Sequence, residues 1–160
     1  MQTLMPLSEE VGKLLVARND KVAVAESAAG GLISAALLAV AGASGWCIGG
    51  AVLYTPRSRF ALKDMHPEMF AGMTGSTEVY ARFMARTVRE RFDARWCLCE
   101  TGTAGPTGSR YGFAAGHVCL AVSGPVNRVL TIETGSNDRV ANMHAFAEAG
   151  LRLLVETLKT

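Results

Sequence analysis

With 160 residues, 49% of them hydrophobic and 19% charged, the chain is long enough to bury a core and too apolar to be a disordered tail. A net charge of +2 argues against nucleic acid as a partner, and Arg86, Arg89, Arg91 and Arg95 are interleaved with Glu90 and Asp93 as on a solvated helix face. The longest apolar run, Leu32 to Val40, is too short to span a bilayer, and Met1 to Lys13 lacks the pattern of a secretory leader.

Taken in chain order, Ser8 with Glu9 and Glu10 predicts a helix start, and Val11, Leu14 and Leu15 form its apolar face to about Arg18. Lys21 to Ala25 reads as a buried strand, Leu32 to Val40 as a helix packed on the sheet, and Ile48 to Tyr54 as a second strand. Thr55-Pro56 opens a short helix to about Lys63, followed by a loop through His66-Pro67. Thr77-Glu78 starts a periodic helix with Val79, Phe83, Met84, Val88 and Phe92 inward. Arg95 to Glu100 is a third strand, and Gly116 to Val122 with Arg128 to Thr134 form a hairpin. Asn137 or Asp138 caps a last helix whose stripe is Val140, Met143, Ala147, Leu151, Leu154 and Leu158. This order predicts one domain over 1–160, an α/β fold built as a three-layer α/β/α sandwich with a mixed, mostly parallel sheet.

Cys47, Cys97, Cys99 and Cys119 sit in or beside apolar runs, and Cys97 and Cys99 share one strand face, so the C-x-C is strand packing and no metal site is expected. Buried free thiols fit a reducing, cytoplasmic setting.

Two apolar runs end in glycine-rich turns, Val22 to Gly31 and Trp96 to Gly108. Two such turns at the carboxyl ends of strands predict a shared crevice, where open α/β sheets bind ligands. Glycine there lets backbone amides approach an anionic group at a helix start. Neither turn carries the lysine-containing phosphate loop or the spaced dinucleotide fingerprint, and either could be a plain strand-to-helix connector.

In order, the motifs resemble those of the CinA carboxy-terminal domain family, whose catalytic members are nicotinamide-mononucleotide amidases. Ala25-Glu26-Ser27-Ala28-Ala29-Gly30-Gly31 resembles A-E-S-C-T-G-G, Gly42-Ala43-Ser44-Gly45-Trp46 resembles G-S-S-A-W, and Gly49 to Tyr54 is similar to G-G-V-V-x-Y. Thr101 to Pro106 is close to T-G-I-A-G-P, Gly116-His117-Val118 to G-T-V, and Gly135 to Arg139 stands where the family carries G-D-R. The resemblance implies an α/β/α fold, a cytoplasmic homodimer and no cofactor. The implied chemistry is serine attack on the carboxamide of nicotinamide mononucleotide, with release of ammonia and nicotinic acid mononucleotide. By motif position it implies Ser44 as nucleophile, Tyr54 as the assisting tyrosine, and Ser27, Gly30, Gly31, Thr101, Gly102, Gly105 and Arg139 as ligand-binding residues, Arg139 near a phosphate.

The departures bear on catalysis. The family's lysine, five residues after the tyrosine, is Arg59 here. A desolvated lysine can lose its proton and serve a serine as base; an arginine, with a pKa above about 12, cannot. The family's Cys-Thr is Ala28-Ala29, Pro56 and Arg57 follow the tyrosine, and the loop Thr107 to Ala115 differs. Lys63 lies roughly 6 Å farther along a helix from Arg59; His66 and His117 titrate in a useful range, and Tyr54 would need a strongly lowered pKa, so all are poor substitutes. The expected function is a divergent amidase-like protein that retains the nucleotide crevice with impaired or lost activity. The alternatives are an active serine amidase and a scaffold subunit.

Overall fold

The computed structural model describes residues 1–160. It contains α1 (Met5–Arg18), β1 (Val22–Glu26), α2 (Leu32–Leu38), β2 (Cys47–Val52), α3 (Glu78–Arg91), β3 (Trp96–Thr103), β4 (His117–Ser123), β5 (Arg128–Glu133) and α4 (Arg139–Leu158). Short 3-10 turns cover Ala43–Gly45, Pro56–Ala61 and Pro67–Phe70. The five strands form one sheet in the order β2-β1-β3-β4-β5. β1 pairs in parallel with β2 and β3, whereas β4 is antiparallel to both β3 and β5, so β4 alone runs against the other four. The mixed sheet with helices on both faces is the expected architecture.

The strand sequences match their places. The inner strands β1 and β4 are buried at every residue, as continuous apolar runs should be when helices cover both faces. The edge strands are more open: after the buried Cys47, β2 alternates between exposed and partly buried residues, and β5 is exposed at all but two positions. One core lies under α1, α2 and α4, with Val24, Ile33, Leu98, Leu120, Phe146 and Leu154 fully buried. The other lies under α3 and takes the opposite side of the same strands, from Ala23, Ala25, Cys97 and Cys99 to Met84 and Val88. All four cysteines are free and buried, and burial pushes each thiol above its ordinary pKa. No helix is long and apolar enough to cross a membrane.

Several local expectations are corrected. Ser8 is not a cap: α1 begins at Met5, with Pro6 in its first turn, and the buried Ser8 hydroxyl donates back to Leu4 O at 3.1 Å. The inward stripe of α3 is rotated, since Val79 is 63% exposed and Tyr80 is buried in its place. Val140 is likewise 62% exposed, at the open first turn of α4. β3 continues beyond Glu100 to Thr103, because its partner β4 supplies a ladder to Thr101, Gly102 and Thr103. Thr77 and Asp138 do cap α3 and α4, accepting from Tyr80 N and Ala141 N.

Gly50 couples the edge strand to the first turn of α2. A Cβ there would lie 2.0 Å from Ser34 Oγ, the hydroxyl that donates to Glu26 at 2.5 Å. Gly50→Ala should therefore destabilise the fold by about 1–3 kcal/mol in urea denaturation, the usual cost of overpacking. Ser34→Ala in the same chain should restore part of that loss; a Gly50→Ala protein as stable as the parent would show that this contact yields freely.

Candidate functional site

The carboxyl ends of β1, β2 and β3 lie side by side, and β4 begins beside the end of β3. Above them opens a crevice of about 380 Å³, the size of a small-molecule site. Ser27 follows β1, Tyr54 follows β2, and Thr101 and Gly102 close β3 with Gly105 just beyond; all five line the crevice, as do Arg59 and Arg139. Thus seven of the sequence-derived site residues converge: Ser27, Tyr54, Arg59, Thr101, Gly102, Gly105 and Arg139.

Ser44 does not join them. It is an exposed residue of the turn Ala43–Gly45, before the amino end of β2, while Tyr54 follows its carboxyl end. Six residues of extended strand separate those ends by about 20 Å. Ser44 therefore cannot attack a ligand in this crevice; the serine beside Tyr54 is Ser27, because β1 and β2 are parallel and Leu53 N donates to Glu26 O at 2.7 Å.

Gly30 and Gly31 also stay outside the crevice lining. Both adopt left-handed φ values, +68° and +99°, to turn the chain from β1 into α2. Their amides, and most of those around them, are already committed. Glu26 accepts from Gly31 N and Ile33 N at 3.0 Å and from Ser34 N at 2.8 Å. Glu100 accepts from Ser27 N at 2.9 Å and Ala29 N at 2.8 Å. The chain's own carboxylates thus occupy the anion-binding end of α2 that the sequence offers to a ligand.

The crevice draws its charge from side chains instead. Arg59, Arg110 and Arg139 line it, with no Asp or Glu. Arg139 Nη1 donates to Gly105 O at 2.6 Å, and its Nη2 donates to Tyr54 Oη at 2.8 Å, joining α4 to the ends of β2 and β3. The guanidinium of Arg59 lies over the rings of Tyr80 and Phe70, 4.4 and 4.9 Å from their centroids. Burial raises the Tyr80 hydroxyl well above its ordinary pKa, an effect that the Arg59 charge opposes. Hydroxyls supply the remaining polarity: Ser27, Tyr54, Ser76, Thr101, Thr103 and Ser109 among them. Such an arrangement can hold an anion and hydrogen-bond a polar ligand. It contains no histidine, lysine or carboxylate side chain to take a proton from Ser27.

The far wall is the loop after Gly105, where Arg110 and Tyr111 reach the crevice. These two are missed by motif reading, and the only signal for them is a charged and aromatic pair inside a glycine-rich loop. Phe113 anchors the loop by stacking on His117, with ring centroids 4.2 Å apart. The imidazole of His117 meets Ser76 O at 2.8 Å through Nε2 and Glu133 through Nδ1, while Ser76 N donates to Thr101 Oγ1 at 3.0 Å. His117 is thus a buried strut behind the crevice. His66 and Lys63 are exposed and lie outside the crevice, and the Lys63 carbonyl accepts from Arg91 at 2.7 Å. Nowhere do three or more His, Cys, Asp or Glu side chains converge as ligands for a metal ion.

Glu100, under the turn after β1, makes stability depend on pH. Its Oε1 is buried without a partner, and burial pushes its carboxyl from 4.5 up to about 7, eased by the Ala29 and Ser27 amides and reinforced by Glu26. Because the folded value is raised, stability from this group is present below pH 4.5 and is lost as pH rises toward 7. In Glu100→Gln that dependence should vanish, so the variant gains about 3 kcal/mol on the parent across this interval, read by denaturation at a series of pH values. A constant difference between the two proteins would contradict the raised value.

Residues 4–158 match the protein family described as the CinA C-terminal domain. The chain is 34% identical over 158 residues to the CinA-like protein of Chlorobaculum tepidum, covering 96% of this chain and 37% of that protein. It is 34% identical over 137 residues to the CinA-like protein of Acidobacterium capsulatum, covering 86% and 33%. The chain therefore spans only a minority of the length of these relatives. Solved structures with the same fold include a competence or damage-inducible protein from Enterobacter asburiae, with TM-score 0.88, 25% identity and coverage of 97% and 98%. Another is the competence/damage inducible protein CihA from Agrobacterium tumefaciens, with TM-score 0.86, 26% identity and coverage of 98% and 96%. With residues 4–158 matched to the family and relatives 34% identical over most of its length, the chain belongs to the CinA C-terminal domain family.

Proposed function

We propose that this chain is a divergent nicotinamide-mononucleotide amidase-like protein that keeps a nucleotide-binding crevice and has impaired or lost amidase activity. The observation that carries the proposal is Arg59, fixed over Tyr80 and Phe70 in a crevice whose lining offers no base for Ser27. Three guanidiniums without an opposing carboxylate favour a phosphorylated ligand, and the surrounding hydroxyls suit the sugar and base of a nucleotide. Ser27 is the hydroxyl placed to attack a carboxamide. Among the side chains that line the crevice its proton has no acceptor, because a guanidinium stays charged and burial holds the Tyr80 hydroxyl in its neutral form; Glu100, which takes the Ser27 amide, lies outside that lining.

Ammonia release from nicotinamide mononucleotide tests this directly. The parent protein should be near background, and Arg59→Lys should raise turnover about 100-fold or more, the range that a positioned general base contributes. Ser27→Ala added to Arg59→Lys should return it to background, whereas Ser44→Ala should leave it unchanged. Robust turnover by the parent would make it an active serine amidase instead, and failure of the nucleotide to bind at millimolar concentration would exclude the crevice as its site.

A further inference from the structure

Arg59, Arg110 and Arg139 share one crevice, and no carboxylate of the chain forms an ion pair with any of them. Arg139 and Arg110 have internal hydrogen-bond partners in Gly105, Tyr54 and Tyr111. Arg59 is held differently. Aromatic faces support its plane, and its Nε is buried without a hydrogen-bond partner. A Cβ placed on Gly75 would be 3.7 Å from Arg59 Nη2 and 4.0 Å from Thr101 Oγ1, so this guanidinium reaches the same part of the crevice as the hydroxyl at the end of β3.

A guanidinium has only donors to offer, in a planar fork that matches the two oxygens of a carboxylate. A carboxamide presents one acceptor and turns an NH2 donor toward those donors. The replacement that removes a base therefore also changes which ligand fits.

Building on the proposed nucleotide crevice, we infer that this chain recognises a phosphorylated nucleoside whose base carries a carboxylate, Arg59 gripping that carboxylate and Arg139 with Arg110 the phosphate. It discriminates against the neutral carboxamide that an amidase would take. A dianionic phosphate and a carboxylate also match the three uncompensated guanidiniums in charge.

Titration calorimetry with nicotinic acid mononucleotide and nicotinamide mononucleotide separates the possibilities, since the two differ only in this group. The acid should bind the parent protein at least about tenfold more tightly, the scale of a charge-assisted hydrogen bond. Arg59→Gln, which can both donate and accept, should abolish the preference, and Arg139→Gln should weaken both ligands and leave their ratio unchanged. Equal binding, or tighter binding of the amide, would overturn the inference while leaving the nucleotide crevice in place. Retention of the preference in Arg59→Gln would overturn the role of Arg59, and binding of neither ligand would overturn both proposals. The comparison on the parent protein holds whether or not a variant folds.

Discussion

Two buried carboxylates organise the turn on which the crevice depends. Glu26 ends β1, and Glu100 follows the stretch of β3 that pairs with it; both are 1% exposed, and between them they accept hydrogen bonds from the amides of Ser27, Ala29, Gly31, Ile33 and Ser34. Backbone amides hold both, joined at Glu26 by the Ser34 hydroxyl, with no cationic side chain. That satisfies orphan donors at the start of α2 and fixes where the chain leaves β1. The cost falls on Glu100, whose carboxyl is held near 7 by burial with one oxygen unpartnered. A protein carboxylate thus fills the place that glycine-rich turns usually leave for a phosphate.

With the amides of that turn occupied, the crevice must bind through side chains. Three arginines from three separate segments supply its positive charge: Arg59 from the turn after β2, Arg110 from the loop after β3, and Arg139 from the first turn of α4. Each is placed by a different device, aromatic faces for Arg59, Tyr111 for Arg110, and a carbonyl with a tyrosine hydroxyl for Arg139. The result is rich in donors and hydroxyls and poor in bases. Such a lining fits recognition of an anion better than activation of a serine.

His117 shows how one motif residue can matter without touching a ligand. Stacked on Phe113 and hydrogen-bonded to Ser76 O, it ties the Arg110 loop and the Ser76 turn to the amino end of β4. Ser76 in turn donates to Thr101, so the hydroxyl at the end of β3 is positioned from behind. The polar cluster is buried and hydrogen-bonded, as buried polar groups must be.

The sequence by itself determined the elements, the sheet class and most of the crevice, because these follow from local signals: apolar periodicity, the Thr77 and Asp138 caps, and glycine turns after buried runs. It also determined the family and the consequence of Arg59, which is a matter of side-chain chemistry. Tertiary structure alone decided which serine is relevant. Ser27 and Ser44 lie in equally plausible glycine-rich motifs, and only the direction of β2 puts one beside Tyr54 and the other at the opposite end of the sheet. The turn that holds Gly30 and Gly31 is set the same way: Gly31 gives its amide to Glu26, and the Ser27 and Ala29 amides go to Glu100, 73 and 71 residues away in sequence. Arg110 and the rotated face of α3 were illegible for a related reason. Loop reach and side-chain burial are fixed by what packs against them, and no local pattern encodes that.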